Sequence, residues 1–244
     1  MSLESQVGDL VAATNNLIAT FSGKKAEIDK AVAAAVAAAP AMKRVFYVDQ
    51  TTGDDKIGLG TQTSPYKTIQ AAIEATPNVG RVDVYLLSDY VLDVHVLLNG
   101  RRVVIRGANG QRRLQLNEFV NNSDNTRRIG SFWHSEGASL ELIDLVISLP
   151  DGSANAAVPV SPYYAVNFAS GSTVPLIGQV KLKGVAFELR GPFVGWFSMN
   201  LPVIALQCEG TTIPSALNGV LIYGVAAGTK PETLPRVLTN LTSL

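Results

Sequence analysis

Residues 45–73 read VFYVDQTTGDDKIGLGTQTSPYKTIQAAI, and this stretch carries the most information about the fold. Val45–Val48 is a short run of β-branched and aromatic residues, which is typical of a strand. A loop rich in Gly, Asp and Thr follows over residues 50–63. Ser64 and Pro65 then match a helix N-cap followed by proline at the first helical position. The stretch therefore predicts a strand, a polar loop and a short helix.

Short apolar strands separated by turn residues follow as far as about residue 225. Three of these segments share one local pattern, an alternating strand, a corner at Gly, Asp or Asn and a second apolar strand: LELIDLVI at 140–147, VKLKGVAF at 180–187 and ALNGVLI at 216–222. Bent strand pairs of this kind suit the stacked coils of a β-solenoid. A β-sandwich needs a similar number of strands, so periodicity alone leaves both folds open.

The first 40 residues follow a different pattern. Apolar residues recur at alternating spacings of four and three, as in the a and d positions of a coiled coil. The predicted oligomerisation residues are Leu3, Val7, Leu10, Leu17, Phe21 and Ile28. Thr14 and Lys24 interrupt the track, and a helix should end near Pro40 because the residue before proline disfavours the α conformation. A single amphipathic helix packed on its own domain is the alternative, but self-association is favoured.

The composition argues against several classes of function. Charged residues make up 16% of the 244 residues, against roughly 25% in an average protein. The formal net charge is zero, so we expect neither a nucleic-acid partner nor binding to an anionic membrane. One cysteine and two histidines leave little for a zinc site, and we expect no metal and no cofactor. The start, MSLESQ, predicts no secretory signal, and no apolar run predicts membrane insertion.

The motif from Tyr47-Val-Asp49 through Gly53-Asp-Asp and Gly58-Leu-Gly to Ser64–Ile73 resembles the N-terminal capping motif of pectate-lyase-like right-handed β-helix proteins. In that family a strand, a Gly/Asp loop and a capping helix cover the open end of the parallel solenoid. The run Val103–Gly107 is similar to a first full rung. Capping is physically reasonable, because a terminal rung has unpaired backbone groups and an exposed core.

A helical segment followed by a capped β-helix is similar to the tail fibres, tailspikes and baseplate fibres of tailed bacteriophages, which are usually homotrimers. The resemblance implies a mainly β fold, a right-handed parallel β-helix (solenoid) preceded by an N-terminal α-helical coiled coil, in a homotrimer. The expected organisation is a coiled-coil attachment segment at 1–40, an initial strand, loop and capping helix at 41–80, β-helix rungs at 81–228 and a capping or trimer-docking tail at 229–244.

The resemblance implies a short trimeric tail or baseplate fibre that serves assembly and host attachment without catalysis. Its expected partners are two further copies, other virion tail or baseplate proteins and, as a further candidate, a host surface glycan. Its expected location is the virion, after assembly in the host cytoplasm. Two alternatives remain, a tailspike depolymerase that cleaves bacterial surface polysaccharide and a fragment of a cellular β-helix adhesin.

A depolymerase needs paired carboxyl groups, and the acids available in the predicted rungs are Glu118, Asp124, Glu136, Glu141, Asp144 and Glu188. None forms a catalytic signature, so no catalytic residue is predicted, and Asp54 and Asp55 fit a turn. Aromatic clusters are the stronger candidates, because aromatic faces can stack on sugars or fill a partner's pocket. The candidate ligand-binding residues are Tyr163, Tyr164, Phe193 and Trp196.

Several other residues have ordinary structural interpretations. The pairs Arg101–Arg102, Arg112–Arg113 and Arg127–Arg128 could bind anionic glycans but more simply lie on the outward faces of turns. Residues 131–135, which include His134, fit a surface loop, and His95 should point outward from a strand. Cys208 is expected to be a buried, inert residue. Leucines and a valine at helical spacing after Pro231 predict a short apolar helical stripe at the C-terminus.

Overall fold

The computed structural model describes residues 2–169 and 176–244, without the side chains of residues 37–41. The chain divides into two compact units, Met1–Met42 and Lys43–Leu244. The first unit contains one long helix, and the second contains the described strands and a second, short helix.

Helix α1 spans Leu3–Ala41. The Ser2 hydroxyl accepts a hydrogen bond from the Ser5 N–H at 3.3 Å, as an N-cap residue does. The predicted N-terminal helix is confirmed, although it continues through Pro40 to Ala41. No described helix combines the length and the apolar content needed to cross a lipid bilayer.

The second unit is built from short strands. The described strands are β1 (Lys43–Val48), β2 (Arg81–Leu86), β3 (Tyr90–Leu92), β4 (His95–Leu97), β5 (Arg102–Gly107), β6 (Arg112–Leu116), β7 (Glu118–Asn121), β8 (Thr126–Ile129), β9 (Ser131–His134), β10 (Ser139–Ile143), β11 (Leu145–Leu149), β12 (Ala165–Ala169), β13 (Ile177–Lys183), β14 (Ala186–Leu189), β15 (Trp196–Met199), β16 (Val203–Glu209) and β17 (Val237–Thr239). Helix α2 (Ile69–Glu74) lies between β1 and β2.

These strands form three parallel sheets and one antiparallel pair. Sheet A has the order β1-β2-β5-β10-β13-β16-β17, sheet B the order β14-β11-β6-β3 and sheet C the order β15-β12-β9-β4. Strands β7 and β8 pair with each other in antiparallel orientation. Between β2 and β6 and again between β9 and β16, strands that follow each other in sequence belong to different sheets, as β2, β3 and β4 do, whereas β1 and β2, and β16 and β17, are neighbours within sheet A.

The predicted fold class is wrong. The described residues form a mixed α/β sheet fold, one long helix followed by parallel sheets, an antiparallel hairpin and a short helix. It replaces the predicted mainly β class, a right-handed parallel β-helix (solenoid) behind an N-terminal helix, because the structure combines a 39-residue helix with three parallel sheets and an antiparallel hairpin. The sandwich alternative is also wrong, because its sheets are antiparallel. The sequence patterns indicated strands and corners but not which strands pair.

The core of the second unit lies between the sheets. Inward residues of sheet A such as Val84, Ile105, Leu142 and Leu182 are completely buried and belong to one continuous apolar cluster. Burial of each such side chain contributes about 1.5–3 kcal/mol relative to exposure. The core therefore holds the sheets together and fixes which side chains remain on the outside.

Helix α2 begins later than the sequence indicates. Its N-cap is Thr68, whose hydroxyl accepts a hydrogen bond from the Ala71 N–H, and not Ser64. The predicted start is overridden because Tyr66 forms a parallel bridge with Val48, which keeps this part of the chain extended. Asp55 lies in a turn of the loop, as predicted, and its carboxylate also accepts hydrogen bonds from the N–H groups of Lys67 and Thr68 just before α2.

The C-terminal segment is not the predicted helical stripe. It contains a short 3-10 turn at Pro231–Thr233 and then strand β17, which pairs with β16. Val237 and Leu244 are buried, whereas Leu238 is 64% exposed. The apolar residues at helical spacing therefore lie in β17 and in the segments beside it, because pairing with β16 holds the chain in an extended conformation.

Candidate functional site

The six predicted oligomerisation residues lie on α1 and are highly exposed. The exposed fractions of Leu3, Val7, Leu10, Leu17, Phe21 and Ile28 range from 53% to 77%. A contiguous apolar surface that is exposed to solvent marks an interaction site. We call these residues the α1 stripe.

A second apolar row, which was not predicted from the sequence, lies beside the α1 stripe. Val11, Ile18 and Val32 are also more than half exposed. Each of these residues directly follows a d position of the heptad pattern and is therefore an e position. Positions 11, 18, 25 and 32 repeat at intervals of seven, and Lys25 is the one polar residue among them. The signal was visible in the sequence. A stripe of a, d and e positions is wider than a simple two-helix seam, which favours contact with more than one neighbouring helix.

The polar interruptions of the α1 stripe are satisfied within the helix. The Thr14 hydroxyl donates a hydrogen bond to the Leu10 carbonyl oxygen at 2.8 Å. The Lys24 ammonium lies 2.8 Å from the Glu27 carboxylate in an exposed pair. Because each group has a partner on its own helix, neither has to be matched by a polar group on a second chain.

The four candidate aromatic residues lie in different environments. Tyr164 is 1% exposed, and its hydroxyl donates to Glu118 Oε1 at 2.6 Å. Burial, followed by that hydrogen bond, raises the pKa of Tyr164 above its ordinary value. Phe193 packs against Tyr164 with the ring centroids 6.1 Å apart. Tyr164 therefore belongs to the interior, and Phe193 is partly buried at its edge.

Tyr163 and Trp196 remain accessible. Tyr163 is exposed, and the Arg128 guanidinium lies over its ring at 5.6 Å from the centroid, a distance at which a cation and a ring attract each other. Trp196 is partly buried and meets Tyr223 edge to face, with the centroids 5.0 Å apart. The two surfaces are thus candidate contact sites for a partner or a glycan.

Aromatic rings also surround His95 in sheet C. Its ring lies 5.0 Å from Phe119 and 5.1 Å from Phe168 between centroids, and its Nδ1 is 2.6 Å from the Ser131 hydroxyl. Burial and, to a lesser degree, the charge of Arg128 lower the pKa of His95 to about 4. The imidazole is therefore neutral at neutral pH, and this surface is apolar despite its histidine.

A broad polar groove lies on the outer face of sheet A. The cavity has a volume of about 630 Å³ and is lined by residues of β5, β10, β13, β16 and β17. Lys181 is one of the lining residues, and its Nζ lies 3.6 Å from Glu141 and 3.1 Å from Glu209. Hydrogen bonds from Lys183 and Lys181 lower the pKa of Glu209, so this group is an ionised acceptor at neutral pH. The groove offers alternating cationic and anionic groups to a polar ligand.

The other candidate acids are distributed around the unit. Glu118 pairs with Arg127 at 3.0 Å, Asp124 with Arg128 at 2.6 Å and Glu188 with Arg113 at 3.2 Å. The Glu118–Arg127 pair is buried, and Asn155 Nδ2 also donates to Glu118 Oε2 at 3.0 Å. The structure therefore brings Glu118 together with Arg127, Tyr164 and Asn155, which sequence spacing did not indicate.

Two arginines and one histidine were placed wrongly by the sequence. Arg101 and Arg127 are buried, and Arg101 Nε donates to the Thr76 carbonyl oxygen at 2.7 Å. His134 lies in β9 and is 2% exposed, not in a surface loop. Cys208 is buried as predicted, and burial raises the pKa of its thiol to about 11. Within the residues that the structure describes, no three His, Cys, Asp or Glu side chains are grouped as metal ligands.

Comparison with known proteins gives a weak structural likeness. No family model matches the sequence, and no curated protein is significantly similar to it. Two structures of the GH136 lacto-N-biosidase from Eubacterium ramulus, the native protein and its selenomethionine derivative, share 15% and 16% identity with this chain, and the TM-score is 0.37 in both cases. The matches cover 69% and 70% of this chain but 30% and 31% of the biosidase chains.

Both of these weakly similar structures are of one glycoside hydrolase, and this chain spans less than a third of its length. A likeness at this level carries no argument about activity. The non-catalytic role and the depolymerase alternative therefore both remain proposals.

Proposed function

We propose that this protein is a non-catalytic structural and attachment protein that acts as a homotrimer, of the kind found in the short tail or baseplate fibres of tailed bacteriophages. In this role it belongs to the virion, contacts other tail or baseplate proteins and meets the host surface. The observation that carries the proposal is the α1 stripe, six large apolar side chains that are more than half exposed on one helix.

Self-association follows from the energetics of that helix. An isolated helix gains little from propensity alone and depends on burial of its apolar face. Burial of each leucine, isoleucine or phenylalanine contributes about 1.5–3 kcal/mol, and identical chains carry the same stripe in register. The second row at Val11, Ile18 and Val32 widens the apolar surface, which supports three helices in preference to two.

Light scattering on a sizing column tests the proposal. We expect a mass about three times 25.9 kDa for the native chain. The double variant Leu10→Glu/Leu17→Glu should be monomeric, because it places charges inside the seam. The matched control, Asn15→Glu/Ser22→Glu, adds the same charges outside the stripe and should remain trimeric. A monomeric native chain, or equal loss of mass in both variants, would refute the trimer.

The alternative function is a depolymerase of bacterial surface polysaccharide. The outer face of sheet A supports it, because Glu141, which lines the groove, and Glu209, which lies outside the lining, both pair with Lys181, and two carboxyl groups are what glycoside hydrolysis commonly requires. Incubation of the protein with host surface polysaccharide, followed by a reducing-end assay, tests this function. Release of reducing ends that is abolished in Glu141→Gln or Glu209→Gln would overturn the non-catalytic proposal.

A further inference from the structure

A small cavity lies beside the end of β15, away from the sheet A groove. Its volume is about 130 Å³, and its polar lining residues are Ser198, Asn200, Tyr223 and Arg236. Apolar side chains, among them Met199, form the remainder of the wall. Because liquid water occupies about 30 Å³ per molecule, this cavity can hold a small functional group but not a whole sugar.

Ser198 supplies an unused hydroxyl in this cavity. The residue is 1% exposed, and its Oγ is buried without a hydrogen-bond partner in the part of the chain that the structure describes. Its backbone groups are satisfied, since its N–H donates to the Leu221 carbonyl and its carbonyl oxygen accepts from the Tyr223 N–H. Buried polar groups are normally paired, so the Ser198 hydroxyl is a hydrogen-bonding group that no described residue uses.

Arg236 gives the cavity a positive charge. Its Nη2 donates to the Tyr223 carbonyl oxygen at 3.0 Å, which holds the guanidinium in place and leaves its other N–H groups available. Among the described residues it has no carboxylate partner, and none of the described lining residues is acidic. A guanidinium binds a carboxylate through two parallel hydrogen bonds, so an anionic oxygen ligand fits this charge.

An aromatic surface adjoins the charge. Tyr223 is exposed and meets the Trp196 ring edge to face, with an interplanar angle of 81°. Ring faces of this kind offer a flat apolar surface with a polar tip, which matches the C–H face and the hydroxyl groups of a pyranose. The cavity and the two rings together are therefore suited to a sugar that carries an acidic group.

We propose that this site binds a carboxylated pyranose of a surface glycan. The carboxylate enters the cavity toward Arg236 and the Ser198 hydroxyl, the Asn200 amide hydrogen-bonds to a neighbouring oxygen, and the sugar ring lies against Tyr223. The proposal rests on the attachment role stated above and specifies the class of glycan that the protein recognises.

Calorimetric titration of the full chain tests the site with two matched probes, methyl β-D-glucuronide and methyl β-D-glucoside, which differ in the carboxylate. We expect the glucuronide to bind with a dissociation constant of about 1 mM and the glucoside at least about tenfold more weakly. Arg236→Gln should weaken binding of the glucuronide about tenfold and leave the weak binding of the glucoside unchanged. Lys230→Gln is the control, because it removes one positive charge from a residue that does not line the cavity.

Three results would overturn the proposal: equal affinity for both probes, no binding of the glucuronide, or equal weakening by Arg236→Gln and Lys230→Gln. Arg236 is exposed, and thermal unfolding of each variant verifies that it is folded. The test is separate from that of the fibre role. A trimer that does not bind the glucuronide refutes this site alone, whereas a monomer that binds it refutes the trimeric fibre and leaves the site intact.

Discussion

His134 illustrates, at the scale of a residue, how burial determines chemistry in this protein. The side chain is 2% exposed and has one polar neighbour, with its Nε2 3.5 Å from Asn167 Oδ1. Burial lowers its pKa from 6.5 to about 4, because the charged imidazolium would lose its hydration. His134 is therefore neutral at pH 7 and acts as a part of the core.

The lowered pKa of His134 predicts a loss of stability in mild acid. The unfolded chain binds a proton at the ordinary pKa of 6.5, whereas the folded chain binds it at about 4. Between these values the unfolded state holds more protons, so the free energy of unfolding falls as the pH is lowered and levels off below about 4. Between about pH 7 and pH 4.5, the native protein should lose about 2 kcal/mol more than His134→Gln.

Urea unfolding at both pH values, followed by circular dichroism, measures this difference. Carboxyl groups with lowered pKa values, such as Asp54 and Glu209, are present in both proteins, so their contribution cancels in the comparison. His95 contributes equally to both proteins. An identical pH dependence for native protein and variant would contradict the assignment of the effect to His134.

Among the elements, the β7–β8 hairpin has a buried ion pair between its two strands, and further hydrogen bonds of both partners reach the rest of the unit. Glu118 begins β7 and Arg127 lies in β8, with 3.0 Å between their charged groups. Arg127 also donates to the carbonyl oxygens of Gly152 and Val158, while Tyr164 donates to Glu118. The pair thus joins the hairpin to the segment that follows β11.

Removal of one partner should be costly. Glu118→Gln keeps the shape of the side chain but leaves the Arg127 charge buried without a counter-charge, which typically costs about 3–5 kcal/mol. Glu188→Gln is the control, because the Glu188–Arg113 pair is much more exposed than the Glu118–Arg127 pair, and solvent-accessible pairs contribute about 0–1 kcal/mol. Denaturant unfolding of both variants gives their free energies of unfolding. If both variants lose a similar amount of stability, the buried pair contributes no more than the exposed one.

At the scale of the whole molecule, the two units differ in where their apolar residues lie. The second unit buries them between its sheets, whereas α1 leaves its stripe exposed. The outer face of sheet A is charged, with Lys181, Lys183 and Glu209 in contact. The proposed association through α1 is therefore hydrophobic in origin.

Hydrophobic association through α1 predicts that the oligomer does not dissociate as the salt concentration rises. Exposed ion pairs weaken as the screening length falls from about 10 Å at 0.1 M to about 3 Å at 1 M, but burial of apolar surface does not depend on this screening. The sedimentation mass should stay constant between about 0.1 M and about 1 M NaCl. Dissociation at high salt would show that charged groups, rather than the α1 stripe, hold the chains together.

Particular residues show how far sequence patterns reached. The exposure of Tyr163 and the burial of Cys208 agree with their local context, but Tyr164, the neighbour of Tyr163, is buried. The N-cap moved from Ser64 to Thr68 because Tyr66 bridges Val48. Arg101 and Arg127 looked like turn residues, yet each finds carbonyl acceptors at least 25 positions away in sequence.

The sequence by itself determined the long N-terminal helix, the strand-rich character of the second unit and the residues of the α1 stripe, since helix periodicity and strand propensity act over a few neighbouring positions. The tertiary structure decided which strands share a sheet, how Glu118 meets Arg127, Tyr164 and Asn155, and how Ser198 and Arg236 come to line one cavity. These contacts join residues that are distant in the chain, and their free energy depends on burial and desolvation, which exist only once the sheets have packed.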